Sequence, residues 1–275
     1  MRFWAFFAIP LVFMAGTAHA QQVPNAPIGT NAEPSTSNAP PAPAMTPRQI
    51  AEMRAEILMA RKDYPGAAHA YQALLVNEPR NATLLNKLGM AYELLGDIQD
   101  AQRAYKKSAS VDKHSSSALN NLGTIEYADK RYGNAIKYYK KAIATGDAVP
   151  AVYTNLGYAY CGIKQFPKAM DAFNKALALD PDVFEHKGAG GSTLQQRTAT
   201  DSAQLHFLLA KSYAKIGDAP RAARYLKMAR DEGYKDFMSA EKDPDFAKVI
   251  KDEGVQEVLR IQPAYASAPD KPVSN

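Results

Sequence analysis

A period of 34 residues runs through the middle of this chain, and it leaves few folds open. Residues 119–142 read LNNLGTIEYADKRYGNAIKYYKKA, with a close variant upstream and another downstream. Stacked at that offset, Leu88-Gly89, Leu122-Gly123 and Leu156-Gly157 share one pair of columns. Ala101, Ala135 and Ala169 share another, followed by Tyr105, Tyr139 and Phe173, while Ile98, Tyr132 and Phe166 make a fourth. Columns that hold register over two periods mark a stacked array, whose units bury their apolar faces only against one another.

Each unit carries the beat of two helices. Leu85, Leu88, Tyr92 and Leu95 recur at spacings of three and four, on one helical face. Gly96-Asp97 interrupts them as a turn signal, and Ile98, Ala101, Tyr105 and Ala109 mark a second helix. The unit is therefore an antiparallel helix hairpin, and the expected class is all-α. Gly89 and Ala101 are small because paired helices about 8–10 Å apart leave no room for bulk at their closest contact.

These residues resemble the tetratricopeptide repeat family: L-G-x-x-Y at Leu88-Gly89 and Tyr92, the Gly96-Asp97 turn, Ala101, Tyr105, and a closing Asp180-Pro181. Ala55, Asp63, Tyr64, Ala67, Tyr71 and Pro79 extend the resemblance to a first repeat. Leu209-Ala210, Tyr213, Gly217-Asp218, Ala222 and Ala229 extend it to a fifth. The resemblance implies a right-handed α-solenoid of about five hairpins, at 48–81, 82–115, 116–149, 150–183 and 203–235. Residues 182–201, with Gly188-Ala189-Gly190-Gly191, are expected as an inserted loop. No Lys-Ser/Thr follows those glycines, which argues against a phosphate loop. Residues 236–262 are expected to cap the array, with a helix starting at Asp243-Pro244-Asp245-Phe246.

The two ends differ in composition. Residues 1–20 have Arg2, an apolar run from Phe3 to Ala15 and Ala18-His19-Ala20, the layout of a secretory signal cut after Ala20. Cleavage and retention as an anchor both remain open. The run falls short of the roughly 20 residues that span a bilayer, so no stable membrane insertion is expected after cleavage. Residues 21–47 are rich in Pro, Ala, Asn and Ser and read as a disordered linker, and 263–275 as a similar tail. These features point to a periplasmic or secreted protein. Cys161 is the only cysteine, which excludes an internal disulfide and reads as a small buried hydrophobe. With 33 Lys+Arg against 28 Asp+Glu and no basic cluster, nucleic acid is not an expected partner.

The family resemblance also implies a function: a non-enzymatic scaffold that holds a peptide or helix of another protein on its concave side. Family positions map the groove to Asn86, Lys87, Asn120, Asn121, Thr124, Tyr127, Thr154, Asn155, Tyr158, Gln204, Phe207 and Lys211. Asn121 and Asn155 share a column, and an amide that both donates and accepts can pair with a guest backbone. They can equally bond within the array, and both readings stand. The cations of the family's carboxylate clamp are missing from the matching positions. Pilus, secretion and envelope-assembly machinery are the expected settings. The alternatives are a peptidoglycan or glycan binder, using Tyr127, Tyr158 and Phe207 as stacking platforms, and an accessory module of an envelope enzyme. His69, His114, His186 and His206 lack ligand spacing to other His, Cys or acidic residues, so neither a metal, a cofactor nor catalysis is expected. Partner identity and oligomeric state are not encoded in any motif.

Overall fold

A computed structural model describes residues 45–147, 149–185 and 202–261. The expected signal, most of the linker, the glycine-rich stretch 186–201 with His186, and the tail lie outside the described residues. The described residues fall in one compact unit. Among the described residues the secondary structure is all helical.

Ten helices pair as five hairpins: α1 (Pro47–Ala60) with α2 (Tyr64–Asn77), α3 (Ala82–Leu95) with α4 (Ile98–Val111), and α5 (Ser116–Ala128) with α6 (Tyr132–Ala144). Then come α7 (Pro150–Gly162) with α8 (Phe166–Leu179), and α9 (Ser202–Ile216) with α10 (Ala219–Asp231). Every first helix packs on its own partner and, from α3 onward, on the second helix of the hairpin before it, which makes the stack a solenoid. Starts are fixed locally. Thr46 forms a capping box with Gln49, and Asp63, Asn81, Ser115 and Asp218 each accept a backbone N–H from the first turn.

The glycine column is explained by what faces it. A Cβ on Gly89 would lie 2.5 Å from the Tyr105 ring, and Gly123 and Gly157 meet Tyr139 and Phe173 in the same way. The aromatics of α4, α6 and α8 thus seat on the bare backbone of α3, α5 and α7. In the fifth hairpin the ring is replaced by Leu226, and Ala210 stands in the glycine column; the first hairpin carries buried Ala55 there, with Tyr71 in the ring column.

The turn column holds a different constraint. Gly96 and Gly217 sit at φ +95 and +89, and Lys62, Lys130 and Lys164 occupy the same place at φ 62, 59 and 58. All five hairpins therefore turn through a left-handed residue, which glycine adopts freely and lysine only at a cost.

After α10 the chain departs from expectation. No regular helix starts at Asp243; Pro244–Phe246 is a single 3-10 turn, and the next α-helix is α11 (Glu253–Arg260), capped by Asp252. The reason lies in spacing. Asp243 and Asp245 both reach the Lys211 ammonium, at 2.7 and 3.1 Å, and residues two apart do not share a helical face. Helix α11 lays Val255 and Leu259 onto the last hairpin and packs against α10.

Candidate functional site

The mapped groove residues lie on the first helices, and one contact links them from hairpin to hairpin. The Lys87 ammonium reaches Glu52 at 2.9 Å, Asn121 Nδ2 donates to Asn86 Oδ1 at 3.2 Å, and Asn155 Nδ2 donates to Asn120 Oδ1 at 2.9 Å. Each link joins residues 35 apart, so it is one geometry used three times. Asn120 Nδ2 also donates to Asn121 Oδ1 at 3.4 Å, which wires Asn155, Asn120, Asn121 and Asn86 head to tail. The asparagine row is therefore a ladder within the array. Leu208 takes that column in the fifth hairpin and ends it.

The mapped residues divide into two groups. Asn86, Lys87, Asn120 and Asn121 are half-buried and keep part of their polar surface open. Met90, beside them, is exposed. Thr124, Thr154 and Asn155 are buried, with the Thr124 and Thr154 hydroxyls donating to the Asn120 and Ala151 carbonyls. Asn155 Oδ1, Tyr158 Oη and Ser212 Oγ are buried without a hydrogen-bond partner.

The stacking-platform reading needs correction. Tyr127, Tyr158 and Phe207 are 5, 1 and 3% exposed. Their faces are taken: Tyr127 packs edge-on to Tyr132, Tyr158 edge-on to Phe173, and Phe207 stacks on Tyr234 with centroids 4.3 Å apart. A sugar cannot stack on a ring that is already covered. Lys211 is likewise committed, to Asp243 and Asp245. The segment after α10 thus lies on the fifth hairpin where a guest was expected. What remains open is the stretch over the first three hairpins.

The positions mapped from the family include no residue of α1 and no acid. Glu52 and Glu56 stand there with Lys87 between them, and Glu93 lies further along α3. Burial pulls the Lys87 pKa down, but the hydrogen bonds to Glu56 and Glu52 outweigh it and hold the ammonium above its ordinary range. The Glu52 carboxyl is held below its ordinary value, first by the bond from Lys87. Glu93 is pushed up by burial, although Tyr105 Oη donates to it at 2.6 Å. A simple offset of 34 residues would have found all three.

The remaining chemical candidates have structural roles or none. His206 is buried with its Nδ1 2.7 Å from Glu232. His69 and His114 are exposed, and Cys161 is half-buried against the apolar core. Among the described residues no three His, Cys, Asp or Glu side chains converge to hold a metal, and no helix is long and apolar enough to cross a membrane.

Residues 114–182 and residues 52–101 each match a family model described as tetratricopeptide repeat. No curated protein matches the chain. Among solved structures, MamA is 24% identical over 66% of this chain and 95% of its own, with a TM-score of 0.46. PilW, described as a widely conserved type IV pilus biogenesis factor, is 18% identical over 82% of this chain and 97% of its own, at 0.49. Pseudomonas aeruginosa pilF is 18% identical over 72% and 94%, at 0.46.

Proposed function

We propose, from the premise that the chain is a tetratricopeptide repeat protein, that it is a non-enzymatic scaffold which holds a segment of another protein across its first three hairpins. The observation that carries this reading is the open strip of Asn86, Asn120 and Asn121 beside exposed Met90, the three amides tied to one another in the ladder. Side chains fixed in advance lose little entropy when a guest arrives, so even a shallow surface can bind at micromolar strength. Glu52, Glu56 and Glu93 outnumber Lys87 and Arg48, both of which reach Glu52, and this slight acidic excess favours a guest carrying Lys or Arg beside apolar residues.

The finer reading is an exported protein serving an envelope assembly, such as a pilus or secretion apparatus, after cleavage behind Ala20. The charged start, apolar run and small-x-small motif of residues 1–20 support it.

A photo-crosslinking residue at Met90 tests the surface in living cells, with one at Val76, 78% exposed on α2, as the control. A discrete protein adduct from Met90 and none from Val76 is expected; adducts from Val76 alone, or from neither, overturn the groove. Sequencing of the purified protein should begin at Gln21, and an intact Met1 overturns cleavage behind Ala20.

A further inference from the structure

The first hairpin lacks a neighbour that every other hairpin has. In the column of Ile50 the later hairpins carry Leu84, Ala118, Val152 and Leu205, all buried against the hairpin before. The column of Ile57 behaves the same way, from Ala91 to Ser212. In α1 both columns are open: Ile50 is 49% exposed, Ile57 41%, and Met53 between them 42%. An apolar stripe at helical spacing is thus left without the partner that its own repeat pattern specifies.

A groove continues the stripe. In the second hairpin a groove along Leu85, Leu88 and Tyr92 is walled by Leu75 and Val76 of the preceding helix, and holds about 370 Å³. In the fourth, Tyr153, Leu156 and Tyr160 are walled by Ile143, and the space is about 280 Å³. The first hairpin has Ala51, Arg54 and Leu58 in those columns and no preceding helix, and its groove opens to about 920 Å³ over Ala70, Ala73 and Leu74. Smaller side chains and a missing wall together leave a socket of helix width.

We infer that this N-terminal face is a second docking site, which takes one amphipathic α-helix of a partner protein, laid where the second helix of a preceding hairpin would lie, with a carboxylate toward Arg54. The interface that joins each hairpin to the next inside the chain continues one step further, so the shape that fits is already specified. Charge selects among helices. Arg54 stands where later hairpins carry Leu88, Leu122, Leu156 and Leu209, it is exposed, and it has no carboxylate partner among the described residues. The acids on the rim are engaged, Glu78 with Arg48 and Asp63 with the Gly66 N–H. A second copy fits poorly. Its own C-terminal hairpin is covered by α11, and pairing α1 with α1 about a two-fold axis would bring like charges at Arg54 together.

The probe is a fluorescent, hydrocarbon-stapled helix copying Tyr64–Asn77 with Glu in place of Gln72, titrated by anisotropy against the full chain. A one-to-one complex at micromolar strength is expected. Joint substitution of Ile50→Asp and Ile57→Asp should weaken it at least tenfold, and Arg54→Glu should reverse its preference over the same peptide with Lys at that place. Both variants alter exposed side chains, and circular dichroism checks that they fold. Equal binding to the Ile50→Asp, Ile57→Asp chain overturns the site, and so does absence of binding, which would mean that the face is already covered. Sedimentation of a dimer that this variant dissolves would assign the face to a second copy instead. The Met90 adduct is unaffected by any of these outcomes, so the two surfaces stand or fall separately.

Discussion

Gly123 supports the whole body of the Tyr139 ring on its bare backbone, and that contact decides what a single methyl group does here. Gly123→Ala gains about 1 kcal/mol of helix propensity but drives a Cβ into a fully buried ring. Overpacking of this kind costs about 1–3 kcal/mol, with the upper range expected where both groups are fixed; chemical denaturation should show a net loss. Lys130→Gly should do the reverse. Relief of the left-handed strain, less the extra freedom glycine gives the unfolded chain, predicts a gain of about 0.5–1 kcal/mol, read as a higher melting temperature. The two positions also mark what the sequence discloses. Gly89, Gly123 and Gly157 announced close approach by column alone, because glycine is rare in helices without cause. The lysines at 62, 130 and 164 gave no such signal, since lysine is at home on any exposed surface and only the turn geometry reveals the strain. Acid provides a third test at this scale. Glu52 has its pKa lowered in the fold, so its contribution is complete above the ordinary glutamate value of about 4.3 and is lost as pH falls through the folded value. Glu93 is raised and contributes with the opposite sign, losing stability as pH rises above the ordinary glutamate value and through its own folded value. Melting curves between pH 3 and 6 should therefore show a fall at the acid end that Glu52→Gln diminishes, and an undiminished fall would reject the Lys87 pairing as its source.

Between hairpins the first helices are joined by side chains as well as by apolar packing. The 35-residue link uses an ion pair, Lys87 to Glu52, at the first junction and amides at the next two. The sequence showed the shared column of Asn121 and Asn155 but not the offset of one residue that turns it into a ladder. That offset depends on how far each hairpin rotates on the last, which no single helix encodes. Asn121→Ala removes a donor to Asn86 and an acceptor for Asn120 at one step. These half-buried amides can recruit water, so the expected cost is about 1 kcal/mol rather than the larger penalty of a sealed site. A cost well above that would mean the ladder excludes solvent in a way its exposure does not suggest. The junction between α9 and the segment after α10 was the least legible. Asp243-Pro244 looked like a helix start, yet Lys211 draws both aspartates to one side, and that cation stands more than thirty residues away in sequence. Local rules for caps were right about Asp243 as an acceptor, from Asp245 N–H, and silent about the tertiary partner that stops the helix.

Across the array the core is unequal. The first two hairpins share a small cluster rich in alanine, with Tyr71, Leu84 and Leu88 as its larger members. From the third hairpin onward one continuous cluster runs through Phe173, Tyr213, Leu226 and Phe237 to Leu259. A solenoid has few contacts beyond nearest neighbours, so this gradient in packing should become a gradient in local stability. Hydrogen exchange is expected to open α1 to α4 at a lower free energy than α7 to α10, and an added helix bound at Ile50 and Ile57 should raise the former without touching the latter. Phe246 tests the same point from the other end. It is fully buried, 6.0 Å from Phe207 between ring centroids, and Phe246→Ala should cost about 3–5 kcal/mol in the helices it covers. In a chain of coupled neighbours that loss fades with distance, so protection in α9 to α11 should drop while α1 to α4 exchange as before. Equal loss in every helix would mean that the array unfolds as a single cooperative block, and the open first hairpin would then be as firmly held as the rest.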